Sequence, residues 1–382
     1  MLLIAVFLVL AAAGAQLAAD HLGLTVGGRD LHMAATGVTI DYRFDMRAAF
    51  HSHGNTLFFA TRDGLQSLSV ARGDVQWQQA FHFNDPILVR RGETLAIGES
   101  LGRRIYVFGP GGLRYAADFD EPVLHFSVNQ AGYLATILRL GTGYEVRVHS
   151  PAHFAQPLYR RTIREANLYP VAVDVSEDGR VIALALLDVH LLMVSRVQFS
   201  YIREVDGRGF VDGLFAMENY PGELVFDLRF TRCGRALVFT DSHIIGFQLG
   251  GQHNLPEIFR IPLHNRLDKL YVGEQGFAFV TGEPDLNAAE ALAEGNLHIF
   301  DMQGRPTGYY PLTRRVSHLT LGPGNAALVG MDRTFYAVSA QGVRLWTHTT
   351  YFDVRQILFL GNTDTVLIAG NHNATVMQRV RR

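Results

Sequence analysis

Glycine recurs along this 382-residue chain at a nearly constant interval, each time in a turn followed by a short apolar, β-prone run. Gly54 precedes Thr56-Leu57-Phe58-Phe59, Gly92 precedes Leu95-Ala96-Ile97, Gly132 precedes Tyr133 to Ile137, and Gly179 precedes Val181 to Leu184. Gly234, Gly276, Gly324 and Gly361 stand in the same relation to Ala236 to Phe239, Phe277 to Val280, Ala326 to Val329 and Thr365 to Ile368. The intervals are 38, 40, 47, 55, 42, 48 and 37 residues. A tight hairpin commonly needs one residue at positive φ, which glycine adopts without steric penalty, so a recurring glycine marks a recurring turn. An interval of about 40 residues is the length of one four-stranded unit.

A second register supports the first. Tyr106-Val107-Phe108 leads to Gly111-Gly112, His298-Ile299-Phe300 to Gly304, and Tyr336-Ala337-Val338 to Gly342. The runs are apolar on successive residues, as in Leu237-Val238-Phe239 and Leu191-Leu192-Met193-Val194, so both faces of each sheet must be covered. A parallel α/β sheet also meets that need, but it requires a helix between strands, and turns rich in Gly, Asp, Asn and Pro separate the runs instead. The expected fold is therefore all-β: an eight-bladed β-propeller of four-stranded antiparallel blades, with seven blades as the alternative. The last repeat, from Val354 to Val380, has room for three strands only. Val38-Thr39-Ile40-Asp41-Tyr42-Arg43-Phe44 alternates as a partly exposed strand and is assigned to the outer edge of that blade. First and last segments then close the ring and hide two strand edges.

The first nineteen residues, Met1 to Ala19, contain no charged side chain. A helix of that length rises about 1.5 Å per residue and just crosses a hydrocarbon core. A signal peptide fits equally well, since Ala13-Gly14-Ala15 resembles a small-residue cleavage site. A buried N-terminal strand or helix is the remaining reading. The chain thus divides into residues 1–19 as signal peptide or transmembrane anchor, 20–37 as linker and 38–382 as one propeller domain. An extracytoplasmic location follows, secreted or held at the cell membrane through the N-terminal helix.

The 34 basic and 36 acidic side chains nearly cancel, so no general positive field would gather nucleic acid. Lys269 is the only lysine, and the arginine bias reads as a codon effect. Cys233 stands alone, so an intrachain disulfide and a zinc site of several thiolates are both excluded.

Gly73-Asp74-Val75-Gln76-Trp77 and Gly342-Val343-Arg344-Leu345-Trp346 each follow a strand and resemble the quinoprotein-like (PQQ-like) propeller repeat. In that repeat the tryptophan docks on the neighbouring blade. Val173-Asp174-Val175-Ser176-Glu177-Asp178-Gly179 is similar to the Ser-x-Asp-Gly turn of WD40-like propellers. With the apolar N-terminus, the eight repeats and the stretch from Tyr169-Pro170 to Tyr201, the chain resembles a Firmicute family of N-terminally membrane-anchored propellers that carries no assigned activity. True quinoprotein dehydrogenases commonly stack their quinone on a tryptophan and an adjacent-cysteine disulfide. One cysteine and two blade-docking tryptophans do not meet that pattern, so no cofactor is expected.

His51 and His53 lie two apart beside Gly54 and would point the same way on an extended backbone, but two ligands do not make a metal site. Asp118, Asp120 and Glu121 precede Pro122 in a connection and read as a solvated loop rather than an acid-base pair. Ser176 near Asp178 has no evident histidine partner. No catalytic residue is assigned. The insertions are better candidates, because propellers bind through loops carried on a rigid ring. Asp206 to Gly222 places Phe210, Leu214, Phe215, Met217 and Tyr220 in a loop-like setting, a candidate partner surface or a lid folded over its own blade. Pro284 to Gly295 looks like a capped short helix with an acidic face. The sequon Asn373-Ala374-Thr375 reads as a chance match. The expected function is non-catalytic: a scaffold binding a protein or a cell-envelope polymer, with a small-ligand sensor or an enzyme using the central funnel as alternatives.

Overall fold

The computed structural model describes residues 31–44, 48–205, 209–250, 255–282 and 295–381. Residues 1–19 and the insertion 284–294 lie outside the described residues. Among the described residues no helix is long and apolar enough to cross a membrane.

Eight four-stranded antiparallel sheets form a ring. Blades 1 to 7 are continuous in sequence, at residues 49–80, 86–118, 123–163, 168–221, 225–262, 266–312 and 318–349. In each, the first strand borders the central channel and the fourth lies outermost, with first strands of adjacent blades packed side by side. Blade 8 combines Gln356–Leu360, Asn362–Ala369 and Asn373–Arg381 with the N-terminal strand Leu31–Asp41 at its outer edge. That closing strand begins at Leu31 rather than Val38. Tyr42 has already left it, and its hydroxyl donates to the Gly370 carbonyl at 2.7 Å.

Burial follows strand position. Second strands such as Thr56–Thr61, Leu134–Arg139 and Gly276–Gly282 are buried almost throughout, which explains their unbroken apolar runs. Outermost strands such as Val75–Ala80 and Glu257–Pro262 alternate between exposed and half-buried positions, because one face meets solvent. One apolar run departs from expectation. Leu191, Leu192 and Met193 precede the strand Val194–Val205 and form an exposed turn, with Leu191 87% and Leu192 80% accessible.

Seven repeat glycines (Gly54, Gly92, Gly132, Gly179, Gly234, Gly324 and Gly361) hold positive φ in the turn between first and second strands. Gly276 does not. It opens a strand, and a Cβ there would lie 2.1 Å from the Phe300 carbonyl oxygen and 2.3 Å from the Asn325 amide nitrogen. Close approach of blades 6 and 7, not a turn, requires glycine at that position.

The two tryptophans sit on outermost strands and reach the next blade. Trp77 stacks on Phe108 with centroids 5.5 Å apart, and its indole N–H donates to the Pro110 carbonyl at 3.0 Å. Trp346 is buried against blade 8 and donates to the Thr363 carbonyl at 2.8 Å. Tyr115 plays the same role from blade 2, its hydroxyl donating to the Gly132 carbonyl at 2.6 Å.

Closure is well bonded. Tyr42, Phe50, Leu57 and Phe59 share a core with Leu358, Leu367 and Val376 of blade 8. The Gln356 side-chain amide spans the seam, accepting from the Phe50 N–H at 2.8 Å and donating to the Phe50 carbonyl at 2.5 Å. All first strands run in the same direction, so the repeat-glycine turns gather at one end of the ring. The third-to-fourth turns and the start of the closing strand at Leu31 lie at that glycine end too.

Candidate functional site

At the glycine end the channel opens into a cavity of about 540 Å³, bordered by first strands of blades 1, 2, 6, 7 and 8. Its lining mixes polar groups with apolar side chains such as Phe50 and Leu358. His51 and His53 come from blade 1, Arg90 from blade 2, Lys269, Tyr271 and Glu274 from blade 6, and His318 from blade 7.

One side of the mouth is an ionic network. The Arg90 guanidinium donates to the Gly92 carbonyl at 2.8 Å and lies 3.2 Å from His53 Nδ1 and 3.5 Å from Glu274 Oε1. His53 stands 3.4 Å from Glu274 and 3.6 Å from Glu93, and Arg232 approaches Glu274 at 3.6 Å. Glu274 therefore has its charge matched several times over. His51 behaves differently from His53. Burial, and then the Arg90 guanidinium, hold it down at about 4, so its imidazole is neutral near pH 7. His318 Nε2 lies 3.1 Å from the Val354 carbonyl, and burial lowers its pKa, assisted by Lys269 and opposed by that hydrogen bond.

Beyond the cavity a second charged cluster joins blades 2, 4 and 5. Asp174 is buried, accepts from the Phe230 N–H at 2.8 Å and faces Arg91 at 3.5 Å. Asp227 pairs with Arg229 at 2.8 Å. His125 sits among these groups, its pKa lowered chiefly by burial. Two acids facing two guanidinium groups leave little net charge, and the cluster fastens neighbouring blades to one another.

The two histidines beside Gly54 both line the mouth. Among the described residues no three His, Cys, Asp or Glu side chains converge on a possible metal position. Asp118 pairs with Arg104, while the Asp120 carbonyl accepts from Arg103. Ser176 donates to Asp178 at 2.6 Å and accepts from the Val181 N–H at 2.9 Å, which makes the pair a component of the turn itself.

The aromatic insertion is not a loop. Phe210, Leu214, Phe215, Met217 and Tyr220 all lie on the outermost strand of blade 4, Gly209–Pro221, which pairs along its length with Val194–Val205. The second strand of the blade ends its pairing at Val181 opposite Tyr201, so the hairpin continues past the blade at the glycine end. Tyr220 is buried in the core between blades 4 and 5. Phe215 occupies a bulge and stacks on Tyr201 with centroids 4.4 Å apart. Leu214 and Met217 face solvent, 48% and 44% accessible, and the backbone of Phe210 pairs with Glu204 further along the hairpin.

Residues from five blades make the channel mouth, and no local motif marks such a set. His51 and His53 stand out by their spacing beside Gly54, and Lys269 because a single lysine among 34 basic residues is visible from composition.

Comparison with solved structures sets this architecture beside BamB from Moraxella catarrhalis, at 12% sequence identity and a TM-score of 0.50, covering 91% of this chain and all of that one. A structure described as the eukaryotic initiation factor aligns at 9% identity and a TM-score of 0.47, covering 85% of this chain and 89% of that one. At such identities the likeness to BamB is one of fold. No curated protein matches the chain by sequence. The family model of DUF5711, a family of unknown function, matches residues 36–378, and the chain belongs to that family.

Proposed function

We propose that this protein is a non-catalytic binding propeller that takes a protein or a cell-envelope polymer at its glycine end. The observation that carries the reading is the outermost strand of blade 4, which presents Leu214 and Met217 to solvent on the rim of the sheet, Leu214 close to the glycine end where the hairpin continues past the blade. A hydrogen-bonded ribbon has little backbone freedom left to lose when its apolar side chains are covered, so it suits a partner contact. Phe215 and Tyr220 of the same strand pack inward, against the core between blades 4 and 5, rather than meeting a partner.

The apolar segment 1–19 supports export, with the segment either cleaved or retained as a membrane anchor, as in the Firmicute propellers that the sequence resembles. Eleven residues, 20–30, separate it from Leu31, a contour of roughly 35–40 Å when extended. A retained anchor would then keep the glycine end within that reach of the membrane. The test is co-sedimentation of the purified protein with the envelope fraction of its source cells. Wild-type protein is expected to sediment, and Leu214→Glu with Met217→Glu to remain in the supernatant with unchanged thermal melting. Equal sedimentation of both proteins, or of neither, removes the hairpin from the reading.

A further inference from the structure

The channel mouth contains a cation that has no counter-charge among the described residues. Lys269 lines the 540 Å³ cavity, and among the described residues its ammonium has neither an ion-pair nor a hydrogen-bond partner. Glu274, the carboxylate on the same wall, is already met by Arg90, His53 and Arg232. Tyr271 stands two residues further along the strand of Lys269, and its hydroxyl has no hydrogen-bond partner among the described residues either. The same holds for the imidazole of His51 on blade 1. The only lysine of the chain thus faces a cavity of mixed polar and apolar lining together with two uncommitted hydrogen-bonding groups. An ammonium is a compact point charge with three donors, well suited to a single oxyanion inside a cavity. A space of this volume is far larger than an inorganic ion and falls in the range of small-molecule sites, roughly 300–1,000 Å³.

We propose that the channel mouth binds a small organic oxyanion, a carboxylate or a phosphate ester, anchored by Lys269 with Tyr271 and His51 as hydrogen-bond donors. The ligand's anionic group supplies the charge that Lys269 lacks, and its organic body fills the remaining space beside Phe50 and Leu358. This site is separate from the hairpin of blade 4, so it stands or falls independently of the partner surface proposed above.

The single lysine makes the test direct. Reductive methylation with ¹³C-formaldehyde places one dimethyl-lysine resonance on the protein, and the methylated α-amine serves as an internal control. Citrate, glucose 6-phosphate and sodium chloride are titrated separately at constant ionic strength. The expected result is a saturable shift of the Lys269 resonance with citrate or glucose 6-phosphate at about 1 mM or below, with no shift of the control signal. Saturation by citrate alone assigns a carboxylate ligand, and by glucose 6-phosphate alone a phosphate. Tyr271→Phe and His51→Leu should each weaken that affinity about fivefold with unchanged circular dichroism. The proposal is overturned by the absence of saturation with both organic anions, by an equal response to chloride, or by wild-type affinity in both variants.

Discussion

Replacing Gln356 with leucine removes the side-chain amide that spans the seam between the first and last blades at Phe50. The Phe50 N–H and carbonyl point away from the second strand of blade 1, and the amide of Gln356 takes both, at 2.8 and 2.5 Å. It does there what a further strand would do for an open edge. Each hydrogen bond contributes about 1 kcal/mol net, and a buried backbone group left without a partner costs about 1–3 kcal/mol. Those figures would give up to about 6 kcal/mol for two fully buried groups, but Phe50 and Gln356 both border the channel cavity. Water there can reach the freed groups, so a loss of about 2 kcal/mol is expected. Leucine keeps the volume close to that of glutamine, which limits any cavity term. Urea-induced unfolding followed by tryptophan fluorescence measures the change, since Trp77 and Trp346 both sit at contacts between blades. A loss below about 0.5 kcal/mol would refute the role given to the Gln356 amide and leave closure to the ladder of Leu31–Asp41 and the apolar core of the seam.

Two further outcomes rest on single residues. Gly179→Ala combines a φ of +69° with a Cβ placed 2.3 Å from the ring of Tyr133, whereas Gly54→Ala has a φ of +55° and nothing within 4 Å. The first should cost about 2–4 kcal/mol and the second about 1 kcal/mol in chemical denaturation, and equal losses would refute the role given to Tyr133. His51 titrates at about 4 in the folded chain, against an ordinary value of 6.5, so between those values the unfolded chain holds the extra proton. The stability tied to neutral His51 is present in full above pH 6.5 and drains away as pH falls toward 4, by about 3 kcal/mol at most. His51→Gln should therefore show a shallower loss of stability than wild type between pH 7 and 4.5, and parallel curves would contradict the assigned burial.

The glycine interval is legible in the sequence because steric demands on a turn act on one residue and its immediate neighbours. Gly276 keeps the interval for another reason, the approach of Asn325 from blade 7, which no local rule anticipates. The Trp docking positions are readable from spacing, whereas Tyr115 does the same work without the expected residue type. The insertion of blade 4 reads as a loop although Asp206-Gly207-Arg208-Gly209 is a turn signal flanked by apolar residues on both sides. A hairpin that outruns its sheet has no interior partner to impose a buried run, so its pattern is weak. The channel mouth is largely hidden from sequence. His51 and Lys269 are distant along the chain and line one cavity only because blades 1 and 6 border the same axis.

The closing strand also sets how the ring would bear a pull. Leu31–Asp41 lies antiparallel to Asn373–Arg381, with Leu31 opposite Arg381 at the glycine end and Asp41 opposite Asn373 at the other. Tension on the backbone ahead of Leu31, directed out of the glycine end, runs along the strand axis and across its ladder bonds. Those bonds would share the load as a group instead of giving way in succession, so drag at that terminus would meet the resistance of the whole ladder before the strand slid free.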